Sequence, residues 1–338
     1  MDQYVEDRPT LLRDVLAHLD EVSNDQSVAL NDDLLRRATR NVDSHVSRDV
    51  LWQILRQGEQ TLQTLQQDPQ PLTRLLEQVV LLLPFDELKE TITPDKLENG
   101  LKSPASAIQL LILAYLRKAA DLPSGAGFVA CSPSLTQSLI TTWLASESTE
   151  VADRCLETIV ALLDVDSPST STFVIARASS GEAQGQGLLW RRVFTDPDVY
   201  SLLFGWTSLT HSNHDVSTKK GQRQVTIAQG RLFDFIARLA AIDWTQIMTS
   251  SLPDVERQFL GEASNSQPYG GLLRYAASDM IDPSDYLMEV LRQDFFMQLL
   301  AVVEESNGRG VSPRLLEAIQ SGAGVSQNTE VNGNGVHL

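Results

Sequence analysis

Few stretches of this sequence combine residue types and spacing that do chemistry. His211-Ser212-Asn213-His214-Asp215 gathers two imidazoles and a carboxylate, donors that zinc accepts. No fourth ligand follows at zinc-like spacing, so a solvated polar loop is expected and no metal is assigned. Gly185-Gln186-Gly187 opens like a dinucleotide-binding turn. Leu188-Leu189-Trp190 follows in place of the third glycine, however, and no strand pattern leads into it. Lys219-Lys220 with Arg223, and Arg36-Arg37, are the densest basic clusters. Neither is interleaved with aromatic residues, so both read as solvated surface. Cys131 and Cys155 lie in apolar helical patterns and are expected as small buried core residues.

Catalytic signatures are missing from the sequence: a phosphate loop ending in Lys-Ser/Thr, a Gly-x-Ser-x-Gly elbow, a His-Glu-x-x-His helix and a Cys-x-x-Cys pair. Carboxylate pairs are plentiful, but no nucleophile or oxyanion loop accompanies them. The expectation is a protein that is not an enzyme and takes no cofactor. One constellation suits binding. Glu150, Asp153 and Glu157 fall at i, i+3 and i+7, opposite Val151, Cys155, Leu156 and Ile159. Helical geometry then puts three carboxylates on one face. That face is either ordinary solvated surface or a strip that steers a basic partner domain.

Composition leaves the same two readings open, since an acidic chain is either simply soluble or suited to a basic partner surface. The chain has 27 basic and 44 acidic residues and a formal net charge of −17. The phosphate backbone repels such a surface, so direct nucleic-acid binding is not expected. With 42% hydrophobic residues, a substantial core is available. The longest aliphatic run, Val79 to Leu83, is too short to span a bilayer. The opening MDQYVEDRPT lacks the layout of a signal peptide, so a cytoplasmic location, with the nucleus as a second compartment, is expected.

The elements that would carry these residues read as helices. Eight prolines directly follow Ser, Thr or Asp: Pro69, Pro94, Pro104, Pro133, Pro168, Pro197, Pro283 and Pro313. The polar residue can cap free helix N–H groups, and proline suits the first helical position. Apolar stripes at helical spacing follow, as at Leu12, Val15, Leu16 and Leu19, and from Leu72 to Leu83. The best strand candidate, Thr172 to Ala176, has no hairpin partner. The segments 178–187, 211–222 and 261–271 read as polar loops.

A shift of 43 residues superimposes Leu101 on Leu144, Ile108 on Val151, Ile112 on Cys155, Leu113 on Leu156 and Leu116 on Ile159. Each copy reads as helix, capped turn, second helix. A weaker third copy turns at Phe194-Thr195-Asp196-Pro197. This period lies in the HEAT/armadillo range. The expected architecture is all-α: a HEAT/armadillo-like solenoid over residues 1–319, curved as a right-handed superhelix, followed by a disordered tail over 320–338.

Four blocks carry a family likeness: Trp143-Leu144-Ala145-Ser146-Glu147-Ser148, Gly187 to Phe194, Arg231 to Ala240, and Gly271-Leu272-Leu273 through Asp294-Phe295-Phe296. Together they resemble the fungal members of the proteasome regulatory-particle assembly chaperones over residues 70–315. These are the high-spontaneous-mutability proteins, often labelled DNA mismatch repair proteins, and are similar to mammalian proteasome non-ATPase subunit 5. The resemblance implies a C-shaped helical-repeat chaperone that binds the C-terminal domain of an AAA-ATPase subunit of the proteasome base. It implies further repeats after Ser312-Pro313-Arg314, where this sequence turns Gly/Asn-rich; a monomer with no membrane or nucleic-acid partner is expected. A generic armadillo-type adaptor and a DNA-repair-associated scaffold are the alternatives.

Overall fold

The computed structural model describes residues 8–25, 27–168, 184–260 and 268–325. Every regular element among them is a helix. Two compact units divide at Leu202 and Leu203.

The first unit is a succession of helix pairs. Its elements are α1 (Arg8–Asn24), α2 (Asp32–Asn41), α3 (Arg48–Thr64), α4 (Gln70–Leu82), the short α5 (Phe85–Leu88), α6 (Pro94–Leu101), α7 (Ser106–Ala119), α8 (Pro123–Ala130), α9 (Pro133–Ala145), α10 (Thr149–Asp166) and α11 (Leu188–Thr195). Helices α3 and α4, α6 and α7, and α9 and α10 pack as consecutive pairs. Between pairs, α4 packs on α7 and α7 on α10, while α6 packs on α9. This two-layer stacking is the helical-repeat arrangement expected from the sequence.

The 43-residue shift holds at side-chain level. Leu101 and Leu144 are both buried at the ends of first helices, and Ile112, Leu113 and Leu116 are buried as are Cys155, Leu156 and Ile159. Ile108 departs from the pattern, being half-buried where Val151 is fully covered. The third copy is real but short: α11 and α12 (Pro197–Gly205) flank Asp196. Phe194 and Tyr200 meet across that turn at 6.1 Å.

Side-chain caps mark where several helices begin. Thr93, Ser132, Ser148 and Ser312 each accept a hydrogen bond from a backbone N–H three residues on. Pro94, Pro133, Pro197 and Pro313 open their helices. Pro69 and Pro104 stand just ahead of α4 and α7, while Pro168 and Pro283 lie outside helices, in a connection and a turn. Asp285, not Asp282, caps the helix that follows Pro283.

The second unit contains α13 (Lys219–Ala240), α14 (Trp244–Met248), α15 (Pro253–Glu256), α16 (Gly271–Arg274), α17 (Tyr286–Glu305) and α18 (Pro313–Gly322). Helix α16 runs into a π-turn at Tyr275–Asp279. Its core stacks Phe233 on Phe295 at 4.8 Å and sets Phe204 against Tyr275 at 4.7 Å. Buried Gln229 ties this unit together: its Nε2 donates to the carbonyls of Thr207 at 2.9 Å and Met280 at 2.7 Å.

Boundaries differ from the sequence reading in three places. The loop expected over 211–222 ends at Thr218, which caps α13 through Gly221 N–H. Gly271 belongs to α16 rather than to a loop. Helix α18 continues to Gly322, past the Gln320 at which the sequence reading ends the helices. The strand candidate Thr172 to Ala176 and residues 326–338 lie outside the described residues, as do 178–183 and 261–267.

Candidate protein-binding site

Helix α10 begins where the Ser148 hydroxyl accepts the Val151 N–H, and its apolar stripe is covered by α7, α8 and α9. That leaves Glu150, Asp153 and Glu157 exposed together on the opposite side. Glu150 stands in the first turn, where the helix dipole favours a negative charge. Arg154 interrupts the strip and approaches Glu157 at 4.0 Å, the outer limit of an ion pair. Such an exposed pair contributes little to stability and leaves the carboxylates available.

The structure adds a residue that the sequence reading missed. Glu77 on α4 lies within electrostatic reach of Glu150 and Arg154 on α10. Burial pushes its carboxyl up to about 7, Arg154 and Arg74 pull it down, and Glu150 pushes it further up. The acidic face therefore extends from α10 toward α4, in the layer that contains α7. Glu77 occupies one register position of an apolar helix, and only the stacking of α4, α7 and α10 reveals its relation to Glu150.

Other residues singled out by type are used differently. The His211 ring meets Phe259 edge-on at 5.9 Å, and His214 meets Trp206 at 4.7 Å. Burial holds the His214 imidazole below its ordinary range. Asp215 accepts from the backbone and hydroxyl of Ser217. The three side chains thus have separate local roles, and among the described residues no group of three or more His, Cys, Asp or Glu could hold a metal ion. Cys155 is buried, but Cys131 is exposed because it ends α8 rather than continuing it, which corrects the expectation of two core cysteines. Lys219, Lys220 and Arg223 are exposed at the start of α13, and Arg36 pairs with Asp33 at 3.1 Å.

The Gly185-Gln186-Gly187 turn shows why it resembles an anion loop. The Asp166 carboxylate accepts the Leu189 N–H at 2.6 Å and the Gln186 N–H at 3.2 Å, so the N-terminus of α11 is filled by the protein's own anion. A Cβ on Gly185 would lie 2.3 Å from the Asp166 carbonyl carbon, and Gly187 has a φ of +66°. Both glycines serve the approach to Asp166.

No helix among the described residues is long and apolar enough to cross a membrane. The stacked pairs and the exposed acidic face define a helical-repeat protein. Residues 13–161 match the family described as DNA mismatch repair protein HSM3, N terminal domain. The likeness to the high-spontaneous-mutability proteins therefore holds over that segment, which lies within the first unit and includes Glu77, Glu150, Asp153 and Glu157. Of the four blocks, Trp143 to Ser148 falls inside it. No curated protein and no solved structure matches the chain.

Proposed function

We propose that this protein is a non-catalytic assembly chaperone. It holds the C-terminal domain of an AAA-ATPase subunit of the proteasome regulatory-particle base and meets it with the α10 carboxylates Glu150, Asp153 and Glu157. It acts as a monomer, without a cofactor, in the cytoplasm and also the nucleus. The observation that carries this reading is the exposed acidic face within the segment matching the HSM3 N-terminal domain. The link to the proteasome itself comes from the family resemblance. Complementary charge speeds encounter with a basic partner and disfavours wrong partners.

Pull-down against the isolated C-terminal domains of the six proteasomal ATPase subunits tests the reading. Selective capture of one or two is expected, and capture of none would leave a generic armadillo-type adaptor as the better account. The family description favours a second reading, a DNA-repair-associated scaffold. With a net charge of −17 such a role would run through protein partners. Duplex binding at physiological salt would reverse that view.

A further inference from the structure

The first unit contains a second surface, remote in chemistry from the acidic face. A groove of about 760 Å³ lies between α6 and α12, with α9 as its floor. The α9 residues lining it run from Ser134 to Ala145 at helical spacing, and nearly all carry a hydroxyl or an amide. Among the described residues, Gln137, Ser138 and Thr141 make no side-chain hydrogen bond within the protein. Ser138 is only 8% exposed, yet it belongs to the groove lining. Buried polar groups normally find partners, so an open row of donors and acceptors in a recess has capacity for a ligand.

Four features define that ligand. From Ser134 to Ala145 the row extends about 16 Å along the helix, the length of roughly five residues of extended chain. Gln, Ser and Thr both donate and accept, which suits the alternating N–H and C=O groups of a peptide backbone. Among the described residues no aromatic side chain lines the groove, so a base or sugar ring has nothing to stack on. Charge is localised at the two walls. Glu98 is paired with Lys102 on one wall, and Asp198 stands on the other with no ion pair among the described residues.

We propose that this groove binds an extended peptide segment bearing one basic residue, its main chain paired with Gln137, Ser138 and Thr141 and its cation with Asp198. This assignment is independent of what the α10 carboxylates bind.

The test selects random linear twelve-residue peptides displayed on phage against the full-length chain, then measures the enriched peptides by fluorescence anisotropy. The variants are Gln137→Ala with Thr141→Val, Asp198→Asn, and the α10 reversal Glu150→Lys, Asp153→Lys, Glu157→Lys. Circular dichroism and thermal midpoint confirm that each variant is folded. Loss of the two hydrogen-bonding side chains is expected to weaken binding about tenfold or more. Asp198→Asn should remove the preference for a basic residue, N-methylation of the peptide backbone should abolish binding, and the α10 reversal should change nothing. The proposal is overturned if no peptide is enriched. It is also overturned if binding survives the groove variants or is lost only on α10 reversal, or if bound peptides are helical.

Discussion

Asp166 fixes the start of α11 from outside the helix. Its carboxylate satisfies two backbone donors, and its carbonyl accepts the Gly187 N–H at 2.9 Å. Asp166→Ala should destabilise the protein by about 3 kcal/mol, because two hydrogen bonds to a charged group vanish and buried donors remain. Chemical denaturation would measure this, and an unchanged midpoint would mean that water replaces the carboxylate. Gln229 is a comparable case. Gln229→Leu strands the Thr207 and Met280 carbonyls and is expected to cost about 2 kcal/mol or more in the same assay. Neither role is legible in the sequence, because the partners lie 20 or more residues away. Gln229 reads there as one more polar residue on a helix, and Asp166 as the polar end of another.

Elements were far more legible, for a physical reason. Caps, prolines and 3.6-residue periodicity are local signals, and helices form from local signals. Where two prolines fell outside helices, the same Asp-Pro or Ser-Pro pair had served a turn or a connection instead. Cys131 was misread because an apolar pattern cannot tell the interior of a helix from its last turn. The repeat register makes a prediction at this scale. Leu113→Ala and Leu156→Ala, at equivalent buried positions of α7 and α10, should each cost about 2–5 kcal/mol through a core cavity. Close approach makes another. A Cβ at Gly125 would stand 2.0 Å from the Ala119 carbonyl oxygen, so α8 can turn back from α7 only with glycine there. Gly125→Ala should lower stability by about 1–3 kcal/mol, read as a fall in thermal midpoint.

Charge acts at the scale of the whole molecule. Glu77 titrates near 7 when folded, against 4.5 as its ordinary value. Its contribution to stability is therefore full below the lower value and is lost as pH rises through the higher one. The loss amounts to at most about 3 kcal/mol. Glu77→Gln should flatten the fall in urea midpoint between about pH 4.5 and about pH 7 relative to the unaltered chain. An equal slope in both proteins would show that other groups govern it. Reversal of Glu150, Asp153 and Glu157 to lysine should leave the fold intact, with a small fall in thermal midpoint because lysine in the first turn of α10 opposes the helix dipole, while slowing association with a basic partner by about tenfold at low salt. The α10 strip was readable from one helix, whereas its continuation to Glu77 required the stacking of three.

The Asp166 clasp has an evolutionary consequence. It holds the chain on both sides of residues 168–184, through its own helix and through α11, so the register of α11 does not depend on how many residues intervene. This junction is therefore a port where sequence can be gained, lost or grafted while the repeats on either side keep their packing.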